Sequence, residues 1–102
     1  MTKFVFAYHG GKMPETEEEG AKLMAAWGAW MEKHAKDFFD QGNPVGMSKT
    51  VTADGVLENG GSNPISGYGL VDAADMDAAI AIAKGCPILD GGSIEVAEAI
   101  NM

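Results

Sequence analysis

The stretch Asn63–Glu98, NPISGYGLVDAADMDAAIAIAKGCPILDGGSIEVAE, reads as one strand, helix, strand unit with its own start and stop signals. Ile65–Asp72 is expected as a strand. Asp75 stands where its carboxylate accepts from a free amide of the following helix, Met76–Lys84. Gly85 and Pro87 end that helix, and Gly91-Gly92 turns the chain into a last strand over Ser93–Glu98. Ala79, Ile82, Ala83 and Cys86 share one stripe of mostly small side chains, so this helix can lie close to a sheet.

Working outward, Phe4–Tyr8 is expected as the first strand, with Phe4, Phe6 and Tyr8 on one face and Val5 and Ala7 on the other. Both faces are apolar, which calls for a sheet covered on both sides. Thr16 opens the first helix, with Glu19 three residues on as its capping-box partner, and Glu17, Glu18 and Glu19 favour its positive end. The helix is expected to run to about Asp40, where Gly42 and Pro44 stop it. Its apolar stripe is Leu23, Trp27, Trp30, Met31, His34 and Phe38. A second strand is expected over Val45–Thr52, then a loop from Ala53 to Pro64 that contains the turn signal Asp54-Gly55.

The element order is thus βαββαβ, an α+β chain of ferredoxin-like type: one antiparallel sheet with two helices on one of its faces. Residues 1–102 are expected to form a single domain. The sheet face without helices still carries apolar and small residues, and a second copy is its simplest cover, so a homodimer is expected.

Composition narrows the functional classes. Fifteen acidic residues against seven basic ones give a net charge of −8, with no cluster of lysines, so a nucleic-acid backbone would be repelled. No apolar run reaches membrane-spanning length, and the first residues lack the pattern of a secretory signal, so no membrane partner and a cytoplasmic location are expected. The lone Cys86 allows no internal disulfide. Two histidines without metal-ligand spacing, and paired glycines without a phosphate-loop pattern, point to no metal and no other cofactor.

Few residues can carry chemistry. His9 ends a central strand before two glycines and titrates near neutrality; Tyr68 projects from the third strand and can donate a proton. These two are the candidate catalytic groups. Tyr8, Trp27, Trp30, His34, Ser48 and Glu95 are candidates for lining a pocket, because apolar cavities are walled by aromatics with a few polar groups. Each has a structural reading beside the functional one: His9 as a strand-end surface group, His34 and the tryptophans as core, Ser48, Tyr68 and Glu95 as interface or edge groups. Asp75 is explained as a cap, and Cys86, at a helix C-terminus with no adjacent base, as a small buried side chain.

The pattern ISGYGLVDAADMDAAIAIAKGCPIL...GGSIEVAEA, the paired tryptophans of AWGAWMEK and the early strand ending in YHGG resemble the YCII-related, or DGPF-domain, proteins. The resemblance spans nearly the whole chain and is most specific in the last third. It implies a dimeric α+β barrel built from two ferredoxin-like subunits. Asp54-Gly55-Val56-Leu57 keeps only the first half of the DGPF motif. The acid/base pair proposed for YCII proteins is a histidine early in the first helix and an aspartate before a proline after the second. Here His34 comes late and Cys86 precedes Pro87, so that pair is not carried over. The expected function is a small-molecule-binding homodimer performing cofactor-independent proton-transfer or lyase-type chemistry. The alternative is a non-catalytic metabolite-binding, accessory or regulatory dimer.

Overall fold

The computed structural model describes residues 1–101. Along the chain come β1 (Thr2–Gly10), α1 (Glu17–Lys33), β2 (Phe38–Asp40), β3 (Thr50–Thr52), β4 (Gly55–Leu57), β5 (Ile65–Ala73), α2 (Met76–Ala83), a 3-10 turn at Pro87–Leu89 and β6 (Gly92–Glu98). β2, β5, β1 and β6 form one antiparallel sheet in that order, and α1 and α2 pack on the same face of it. The α+β architecture and the closing strand, helix, strand unit agree with the sequence pattern.

Strict alternation divides β1 into two faces, and the helices cover the aromatic one. Phe4, Phe6 and Tyr8 are buried under the helices, while Val5, Ala7 and His9 take the other side. Opposite them on β5, Phe6 pairs with Gly69 and Tyr8 with Gly67; on β6 they pair with Val96 and Ile94. The core adds Trp30, Phe38, Val71, Ala79, Ile82 and Ala83. The Trp30 indole N–H donates to the Ile82 carbonyl at 3.0 Å, which ties α1 to α2 through a buried bond. Asp75 caps α2, accepting from the Ala78 amide at 2.8 Å. Thr16 caps α1 in the same way, through the Glu19 amide at 3.1 Å, but the Glu19 carboxylate reaches back to the Glu15 amide.

Two expectations for the middle of the chain need correction. α1 stops at Lys33 instead of running to Asp40. Ala35 and Lys36 favour helix, and Phe38 falls on the helical stripe. The tertiary structure nevertheless places the Phe38 ring in the core from a strand, edge-on to Trp30 at 5.3 Å and to Phe6 at 5.9 Å. As a strand residue Phe38 also pairs with Val71 and covers the edge of β5, hydrogen bonding that a helix there would leave unmade.

Val45–Thr52, in turn, is not the second strand of the sheet. That place belongs to β2 and the single bridge between Pro44 and Gly67. Thr50–Thr52 pairs instead with Gly55–Leu57, inside the expected loop, as a separate hairpin with Ala53-Asp54 at its tip. Lys49 and Glu58 brace its base at 2.8 Å. Val51 is 78% exposed, and Val56 and Leu57 are exposed as well, so the hairpin is an arm with apolar flanks. The chain measures 43 × 43 × 18 Å with a radius of gyration of 14.8 Å, against about 13 Å for a compact domain of this length.

Gly42 makes the turn that carries the chain from β2 along β5. Its φ is +71°, and a Cβ there would land on the Tyr68 carbonyl. Gly42→Ala is expected to cost more than about 2 kcal/mol in urea unfolding. Gly28, in mid-α1 with open space beside it, needs no such freedom. Gly28→Ala is expected to raise stability by about 0.5–1 kcal/mol in the same measurement.

Candidate functional site

A cavity of about 640 Å³ lies beside α1. α1 contributes Met24, Trp27 and Met31, β1 contributes Tyr8, and the segment after β2 closes the far side through Asn43, Pro44 and Val45. Next to it, β5 is bare. Glycine occupies helix-facing positions 67 and 69, and there is no room for more: a Cβ on Gly67 would stand 3.1 Å from the Tyr8 ring. One on Gly69 would stand 2.9 Å from Phe38 and 3.1 Å from the Tyr8 hydroxyl. The bare strand lets the aromatic rings settle close to the sheet.

Tyr8 is 5% exposed, and its ring meets Trp27 edge-to-face at 5.3 Å. Its hydroxyl is buried without a hydrogen-bond partner, as is the hydroxyl of Ser66, another residue bordering the cavity. Such groups normally find partners. Burial pushes the Tyr8 phenol well above its usual range, with the Cys86 thiol adding to the effect. At neutral pH Tyr8 is therefore a protonated donor. Lys12 is the one charged residue of the lining.

The expected site residues separate. Tyr8, Trp27 and Tyr68 border this cavity; His9, Trp30, His34, Ser48 and Glu95 lie outside its lining. Trp30 is core. His34 is the C-cap of α1, with Nδ1 3.3 Å from Asp37 Oδ2 and its ring against Trp30. Ser48 lies in the chain leading to the arm. His9 and Glu95 meet on the opposite, uncovered sheet face, with Nε2 to Oε1 at 3.2 Å. The Nδ1–H of His9 donates to the Asn63 carbonyl at 3.0 Å, so His9 links β6 to the segment before β5. By strand parity Tyr68 also takes this face, and its hydroxyl accepts from Asn43 Nδ2 at 3.3 Å.

Sequence reasoning missed the shaping role of Gly67 and Gly69, the methionines and Lys12. The GYG run inside a strand pattern was a signal for the glycines, because strand glycines often mark close approach. Nothing in the local pattern singled out Lys12. Among the described residues no three His, Cys, Asp or Glu side chains gather as metal ligands, and no helix is long and apolar enough to cross a membrane.

Cys86 is buried under α2, as its stripe position requires. Burial pushes its thiol up to about 11, partly opposed by a hydrogen bond to the Ile88 backbone. The unfolded thiol ionises near its ordinary value of 9.0, so the stabilisation is complete below that pH and is lost as pH rises towards 11. In urea unfolding between pH 8 and 11, wild-type stability should fall more steeply than that of Cys86→Ala. Parallel slopes would contradict the burial.

The sequence matches the YCII-related domain family over residues 4–102. No curated protein matches it.

Proposed function

Because the chain belongs to the YCII-related family, we propose that it is a single ferredoxin-like domain, working in the cytoplasm as a homodimer that binds a small organic molecule in the cavity beside α1. The carrying observation is the cavity itself, about 640 Å³ in volume, with apolar walls and Lys12 as the one charged residue of its lining. Known small-molecule sites run from about 300 to 1,000 Å³ and combine apolar walls with few polar groups. Trp27, Met24 and Met31 supply such walls.

The dimer follows from what one chain leaves open. Val5, Ala7, Leu70 and Ala97 lie on the uncovered sheet face, and the arm carries Val51, Val56 and Leu57 into solvent. Two faces packed as a dimeric α+β barrel would remove both from water, and twofold pairing is the commonest way to do so.

A binding role fits this cavity better than a reaction in it, because Tyr8 is held protonated and cannot serve as a base near neutrality. A proton-transfer reading attaches to the opposite face, where Glu95 holds His9 and Tyr68 lies nearby on the neighbouring side of β1. His9→Gln separates the two: it should leave ligand binding in the cavity unchanged while removing any proton-transfer activity.

Sedimentation velocity in dilute solution is expected to give twice the 10.7 kDa chain mass. Leu70→Glu, which puts a charge in the proposed interface, should yield a folded monomer by the same measurement and by circular dichroism. A wild-type monomer would sink the dimer.

A further inference from the structure

We infer that the cavity selects an aromatic monoanion, a flat ring system bearing one carboxylate or comparable acidic group; this rests on the binding role proposed above and names the ligand class for the same site. The first argument is the wall. Trp27 is half-buried and meets the Tyr8 ring edge-to-face, with 79° between their planes. Met24 lines the same space yet is 73% exposed, and Met13 at the rim is exposed too. Thioether side chains are unbranched and polarizable, and sulfur lies favourably at the edge of an aromatic ring. A flat aromatic guest would cover these methionines and stack on Trp27.

The second argument is charge. The chain has fifteen acidic residues and a net charge of −8. The cavity lining nevertheless contains no Asp or Glu, and its one charged residue is Lys12. Lys22 pairs with Glu18, Lys49 with Glu58, and Lys3 lies over the Phe39 ring at 5.0 Å. Lys12, like Lys33, Lys36 and Lys84, makes no ion pair among the described residues, and of these four it alone lines the cavity. The smaller groove next to it, about 350 Å³, is lined by Glu19 and Asp90 as well as Lys12 and Lys22, so its charges balance. A cation at the mouth of an apolar, acid-free cavity attracts an anion and disfavours a cation.

The acidic group of the guest stays near Lys12 at the rim. Charge-assisted bonds contribute more than neutral ones, so Lys12 supplies discrimination and the aromatic walls supply most of the affinity.

Quenching of tryptophan fluorescence, titrated with three probes of one shape, tests this. 1-Naphthoate is expected to bind about tenfold more tightly than 1-naphthalenemethanol, with 1-naphthylmethylammonium weakest; tenfold corresponds to about 1.4 kcal/mol. Lys12→Gln, an exposed change that keeps the backbone, should bring naphthoate down to the level of the alcohol and leave the alcohol unchanged. Tyr8→Phe should leave thermal stability equal or higher, because it removes an unpaired buried hydroxyl. Equal binding of all three probes, a preference for the ammonium, or a uniform loss in Lys12→Gln would overturn the ligand class and leave the binding role standing. No binding of any probe would overturn both.

Discussion

Aromatic side chains of β1 stand directly opposite glycines of β5, Phe6 across from Gly69 and Tyr8 across from Gly67. Most of the structure depends on this register. A slip of one residue would turn Phe4, Phe6 and Tyr8 to the uncovered face and bring Val5 and Ala7 under the helices. With the register as it is, the rings lean over bare backbone, Phe38 comes in from the neighbouring strand, and Trp30 closes the cluster from α1. The bond from Trp30 to the Ile82 carbonyl then joins the second helix to the first.

The same glycines bring the rings close to the sheet: Phe38 fills the space beside Gly69 and Tyr8 that beside Gly67, and the cavity opens beyond them under Met24, Trp27 and Met31. An unpaired phenol in an interior costs about 1–3 kcal/mol. On the other sheet face, His9 is held between the Asn63 carbonyl and Glu95, and that arrangement also fixes how the segment after the arm rejoins the sheet.

Particular residues show where the sequence was legible. Asp75, Lys84, Gly85 and Pro87 mark the ends of α2 to within a residue, because caps and breakers act through their immediate neighbours. Phe38 misled: its spacing from Trp30 and His34 suits a helix, and its burial is satisfied equally well from a strand. Only the pairing needs of β5 distinguish the two. Val45–Thr52 misled for a related reason, since apolar residues at an arm look like sheet residues until their partners are known. Among the pocket candidates, Tyr8 and Trp27 border the cavity, as does Tyr68, expected as a catalytic group, while Trp30 and His34, on the same stripe as Trp27, belong to the core and the helix end.

By itself the sequence determined the α+β class, the closing strand, helix, strand unit, the division of β1 into two faces and the family, because alternation, capping and punctuation are local and survive without knowledge of distant neighbours. Only the tertiary structure decided where α1 stops, which segment fills the edge beside β5, that residues 50–57 form an arm, and that Lys12, Trp27 and Tyr8 share one cavity while His9 and Glu95 share the other face. Each of these depends on contacts between residues far apart in the chain, and their free energy is settled by burial and strand pairing that no single segment contains.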